Sequence, residues 1–129
     1  MAPQMKPAIA LSVAALLAAC ATIPPASIRE GPVALGQTVY VDGPSVTPLE
    51  VIEDSRCPAD VQCIWAGRVV VRTKIHLGSG DMIRDLVQGE PIGIADGALE
   101  LTVVNPAPRA GVELEREVYR FTYRFDGGL

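Results

Sequence analysis

Two stretches of strict alternation set the fold class. In "RVVVRTKIHL", residues 68–77, Val69, Val71, Thr73, Ile75 and Leu77 fall on one side of an extended chain, with Arg68, Val70, Arg72, Lys74 and His76 on the other. In "REVYRFTYRF", residues 116–125, Glu117, Tyr119, Phe121, Tyr123 and Phe125 alternate with Val118, Arg120, Thr122 and Arg124. Successive side chains of a strand point to opposite faces, so a period of two predicts half-buried strands. The four rings of the second stretch belong in the core, because four large rings exposed on one sheet face would invite aggregation.

Shorter signals of the same kind flank these two. Residues 37–41, "QTVYV", end at a "DGP" turn, and residues 81–87, "DMIRDLV", follow "GSG". In residues 98–104 Leu99, Leu101 and Val103 are in phase. In residues 47–54 the alternation places Leu49, Val51 and Glu53 on one face and Val46, Glu50 and Ile52 on the other. "NPAPRAG", residues 105–111, is a loop, since proline cannot donate to a strand ladder. Residues 110–118 offer at most a brief helical turn. Six or seven short strands between Gly and Pro turns predict an all-β domain, a small antiparallel β-sandwich.

The start of the chain points to a compartment. "MAPQMK" carries Lys6, and "PAIALSVAALLAA", residues 7–19, is apolar apart from Ser12. A positive start, a short apolar run and small residues at its end are the parts of a secretory signal. The run is shorter than the ~20 residues of a spanning helix. "LAAC", residues 17–20, resembles the lipobox of bacterial lipoproteins. That resemblance implies removal of residues 1–19, a diacylglycerol thioether and an acylated amino terminus on Cys20, and attachment to a membrane through lipid. Ala21 stands where an aspartate would retain the protein in the inner membrane, which implies sorting to the outer membrane, facing the periplasm. Residues 20–32, with Pro24 and Pro25, are then a lipidated cysteine and tether, and 33–129 a single β-sandwich domain.

Taking 19 residues from 129 leaves 110, enough for one domain. Without Lys6, 10 basic residues face 15 acidic ones, a charge of about −5. No basic stripe exists for nucleic-acid phosphates, so nucleic acid is not an expected partner. Of three cysteines, lipid takes Cys20, which leaves Cys57 and Cys63 as an even pair in an oxidising space and predicts a disulfide between them.

That pair lies in "DSRCPADVQCIWAG", residues 54–67, a loop crossing from one strand to the next. Pro58 fixes φ in its first turn. Trp65, the single tryptophan, is expected to pack as a lid on the bridge or the sheet edge. Asp54, Ser55, Arg56, Cys57, Pro58, Cys63, Trp65, Ala66 and Gly67 resemble a "DSRCP…C.WAG" signature of small bacterial secreted and lipoprotein-like proteins of unassigned function. The "NPAPRAG" loop and "VYRFTYRF" ending extend the likeness over roughly residues 35–125. It implies a β domain with a loop disulfide and carries no activity.

Chemistry has few footholds. A redox pair is usually C-x-x-C at a helix start, whereas these cysteines are spaced C-x5-C in a loop beside Asp54 and Asp60. His76 is the single histidine and alternates onto a polar face, so no metal ligand set or cofactor is expected. None of Ser27, Ser45, Ser55 or Ser79 sits in a G-x-S-x-G elbow. The expectation is a binding or structural module rather than an enzyme, its ligand a small molecule or an envelope protein. The alternative is an envelope enzyme or ligand-processing protein whose active site has no signature. Arg56 and Trp65 are the candidate partner-binding residues. For Arg56 two outcomes compete, an internal pair with Asp54, Asp60 or Glu53, or presentation to a partner.

Overall fold

The computed structural model describes residues 3–4, the backbone of 28–29, and 31–128. The expected signal segment apart from residues 3–4, the expected lipidation site Cys20, and residues 21–27 and 30 of the 20–32 tether lie outside the described residues. Among the described residues no helix is long and apolar enough to cross a membrane.

Among the described residues eight strands build two sheets: β1 (Ile28–Arg29), β2 (Val39–Tyr40), β3 (Ser45–Asp54), β4 (Val69–Leu77), β5 (Gly80–Val87), β6 (Ile92–Ile94), β7 (Gly97–Asn105) and β8 (Arg120–Asp126). The first sheet has the order β1-β2-β3-β4-β5, the second β6-β7-β8. Every pairing is antiparallel except the two-residue β1, which runs parallel to β2. A one-turn 3-10 helix, Arg116–Val118, leads into β8, so residues 116–118 of the alternating run are not strand.

The two long alternations bury their inner apolar residues as expected, whereas Glu117 is exposed in the 3-10 helix and Val70, on the outer side of β4, is buried as well. Val69, Val71, Thr73 and Ile75 of β4 are fully buried, and β8 and its approach bury Tyr119, Phe121, Tyr123 and Phe125 against them. Val33 joins the second sheet through an isolated bridge to Phe121. Between the sheets the Thr73 and Tyr123 hydroxyls meet at 2.9 Å. Burial raises the Tyr123 phenol well above its ordinary range, so the bond joins two neutral groups. A sandwich core closes only if its few polar atoms are paired. Among the described residues no buried side-chain nitrogen or oxygen lacks a partner.

β3 departs from simple alternation. Val46 pairs with Ile75 and Pro48 with Thr73, which puts even-numbered residues toward the core. A shift between Pro48 and Glu50 then reverses the phase, so Val51 pairs with Val71 on the inner side. Val46 therefore belongs to the core at 0% exposure, not to the outer face with Glu50 and Ile52. A second shift, between Val51 and Glu53, reverses the phase again and sets Asp54 opposite the buried Val69. An irregularity of this kind adds a residue to one strand and re-aims the side chains beyond it. Here it turns a carboxylate inward at the end of the sandwich that carries the cysteine loop.

Candidate functional site

The β3–β4 connection is an extension of the ladder with a tight tip. Ser55 N–H donates to Arg68 O at 2.8 Å and Cys57 N–H to Ala66 O at 3.0 Å, continuing the β3–β4 pairing past Asp54. Glu53 accepts from Arg68 Nε at 2.7 Å on the outer side. Gly67 has φ +67°, and a Cβ there would collide with the Ser55 carbonyl, so only glycine lets the two loop arms approach. Cys57 and Cys63, with Cα atoms 5.8 Å apart, form the disulfide. Closing a loop of about seven residues restricts the unfolded chain by about 2.4 kcal/mol on the entropy model.

Arg56 fastens this loop to the opposite sheet. Its Nε and Nη2 donate to the two oxygens of Asp54, each at 2.8 Å. Nη1 donates to Val104 O at 2.8 Å and Nη2 to Pro106 O at 3.2 Å, at the end of β7. The Tyr119 hydroxyl donates to Asp54 Oδ2 at 2.8 Å. The planar fork suits this work, since it satisfies a carboxylate bidentately and still reaches two carbonyls. The Arg56 and Asp54 side chains are only 14% and 13% exposed. The fork thus points inward and binds its own chain.

The electrostatics follow from this packing. Burial by itself would raise the Asp54 carboxyl, but hydrogen bonds from Arg56 and Tyr119 and the charge of Arg56 outweigh it, holding Asp54 below the usual carboxylate range. Burial and the neighbouring carboxylate push the Tyr119 phenol up to about 12. The β7–β8 loop is also tied in, with Ala59 N–H on Pro108 O at 2.7 Å and Ala110 N–H on Asp60 Oδ1 at 2.9 Å.

The tip beyond these ties faces water. Ile64 is 93% and Trp65 82% exposed, so Trp65 is not the lid the sequence predicts. Val61 and Val112 are exposed large apolar residues as well. Ile64, unlike Trp65, is not among the residues expected from sequence to meet a partner. Its signal was an apolar pair inside "VQCIWAG", seven residues without a charge, in a connection too short to own a core.

His76 is not a simply solvated strand residue. Its Nε2 meets Thr47 Oγ1 at 2.9 Å and its Nδ1 meets Asp81 Oδ1 at 3.0 Å, while Thr47 Oγ1 also bonds Thr38 Oγ1 at 2.7 Å. Hydroxyl, imidazole and carboxylate stand in the order of a nucleophile, base and orienter. Thr47 is only 8% exposed, however, and lies mid-strand, where the backbone N–H groups serve the ladder. A cleft of about 230 Å³ lies elsewhere, between β2 and β8, and a second is lined by Ala34, Leu35, Arg116 and Glu117. The chain of bonds ties β3, β4 and β5 together at their outer face. Among the described residues no three His, Cys, Asp or Glu side chains converge as metal ligands would.

No family model, curated protein or solved structure matches the chain.

Proposed function

We propose that this chain is a lipid-anchored protein of the bacterial envelope, held at the outer membrane through Cys20 and facing the periplasm. Its β-sandwich acts as a binding module through the 55–67 loop rather than by catalysis. One observation carries the assignment: among the described residues Ile64 and Trp65 are the most exposed large apolar side chains, on a loop fixed by a disulfide, two paired arms and the Arg56 clamp. Rigid scaffolds that present a few side chains on a stiff loop are how binding modules are built, and tryptophan is among the side chains that contribute most at interfaces. Arg56 supports the loop from within, and Trp65 is its contacting residue. The anchor rests on "LAAC" closing the apolar run.

Metabolic labelling with a clickable fatty acid tests the anchor. The wild-type protein is expected to take the label and Cys20→Ala to lose it; label retained in Cys20→Ala refutes the assignment. Crosslinking in whole envelopes tests the loop. Trp65→Ala is expected to lose the adducts that wild type forms while keeping its β-type circular dichroism, and unchanged adducts would place binding elsewhere.

A further inference from the structure

We propose that the Ile64–Trp65 tip is a second membrane contact, inserting into the interfacial layer of the bilayer that holds the lipid anchor. This rests on the anchored reading above and names the partner of the same loop. Three features of the molecule favour a lipid surface over a protein.

The tip has the chemistry of an interfacial wedge. Residues 61–67 carry no charge, and the charges that flank them are paired, Asp60 on the Ala110 N–H and Arg68 with Glu53, while Arg56 points inside the sandwich. An indole has a large apolar body and one N–H, which suits the boundary between headgroups and acyl chains. Because the loop is already fixed, insertion orders little that was free.

The shape also fits. A standard protein interface buries ~800 Å² on each partner and engages some 20–30 residues. Here two adjacent side chains project from a narrow turn, enough to enter a fluid layer without a matching concave partner.

The strand directions bring anchor and tip together. β2 runs antiparallel to β3, and β1 parallel to β2, so β1 runs away from the end of the sandwich that bears the loop. Ile28 is level with Val39 and Val46. The eight residue steps from Cys20 to Ile28 reach at most ~29 Å, and the rise of β3 from Val46 to Asp54 is ~26 Å. Cys20 can therefore reach the end of the sandwich from which the loop projects, with the tip standing beyond it. With about 10 basic against 15 acidic residues in the mature chain, the contact is apolar and independent of anionic lipid.

Trp65 is the only tryptophan, so it reports its own position. Lipidated protein purified from envelopes in detergent is reconstituted into phosphatidylethanolamine vesicles, with and without brominated acyl chains. The expected result is flotation with the vesicles, quenching of Trp65 by the brominated lipid, a shift of emission to shorter wavelength, and loss of access to aqueous iodide. Ile64→Ser should still float and keep its circular dichroism but lose most of the bromolipid quenching. Failure to float overturns the anchor and this proposal with it. Flotation with Trp65 open to iodide overturns the tip insertion alone. Protection of Trp65 in whole envelopes but not in protein-free vesicles assigns the tip to a protein partner and likewise overturns the lipid contact.

Discussion

Arg56 and Trp65 lie nine positions apart in one loop and meet opposite surroundings. Arg56 is 14% exposed with four hydrogen bonds from its guanidinium, whereas Trp65 is 82% exposed. Removing the arginine would leave the Asp54 carboxylate without its charge partner and two carbonyls without donors. Breaking a buried pair from one side costs about 3–5 kcal/mol, so Arg56→Ala should unfold at markedly lower urea concentration. Arg56→Lys should recover only part, since an ammonium cannot make the planar fork. Trp65→Ala should change stability by no more than about 0.5 kcal/mol, the range of surface substitutions. Equal effects at the two positions would mean that the clamp is not holding the loop. The exposure of Trp65 has a further consequence: its emission in aqueous solution should be that of an indole in water with the disulfide closed, and reduction should leave it there. The pair of Arg56 with Asp54 was one of the two outcomes the sequence offered; the rest of its surroundings, and those of Trp65, were not legible locally. The partners of Arg56 at Val104 and Pro106 are backbone carbonyls about 50 positions away, and a carbonyl has no sequence signature. The expectation for Trp65 followed the average habit of a large ring, while the loop is too short to offer it cover.

At the scale of elements, legibility divided along regularity. β4 and β8 keep one phase from end to end, and their core faces could be assigned from alternation alone. β3 changes phase twice, and the two shifts exchange the roles of residues that alternation would group. Val46 and Ile52 are both even-numbered, yet Val46 is 0% and Ile52 41% exposed. Val46→Ala should cost about 1.5–3 kcal/mol from lost burial and the cavity left behind. Ile52→Ala should cost about 0.5 kcal/mol or less. Parallel urea titrations measure both, and a cost at Ile52 equal to that at Val46 would show β3 to be unbroken. Bulges are set by how a strand must turn against its partner, not by the residues it contains, so composition carried no warning of them. The short elements were hidden for a different reason. β6 has three residues with a central glycine, and β1 has two, too few for a period to register. The loop disulfide was legible because cysteine count and compartment were enough, with no need of long-range geometry.

For the whole molecule, the two sheets share one buried ionic junction among the described residues, in which Asp54 of β3 meets Arg56, Tyr119 and the carbonyls of the β7 end. Global stability should therefore follow the charge of this cluster. The Asp54 carboxyl is held below its ordinary value in the fold, so the folded state binds its proton less readily than the unfolded chain. Its contribution is complete above the unfolded value of about 3.9 and is lost as pH falls through the lower folded value. Tyr119 works in the opposite sense. Its phenol is raised to about 12, so the folded state favours the neutral hydroxyl that donates to Asp54. That contribution is complete below the unfolded value of about 10 and fades as pH rises through about 12. The urea midpoint should thus be level across the middle of the pH range, with an acid limb below about 4 and an alkaline limb above about 10. Tyr119→Phe separates the two. It removes the alkaline contribution of this phenol and, by taking a donor from Asp54, brings the folded carboxyl nearer its unfolded value and shrinks the acid limb. Arg56→Met shrinks the limb further, because with the arginine's hydrogen bonds and positive charge gone burial alone acts on the carboxyl and raises it. An acid limb of the same size in wild type and both variants would show that Asp54 is not the group whose protonation opens the sandwich.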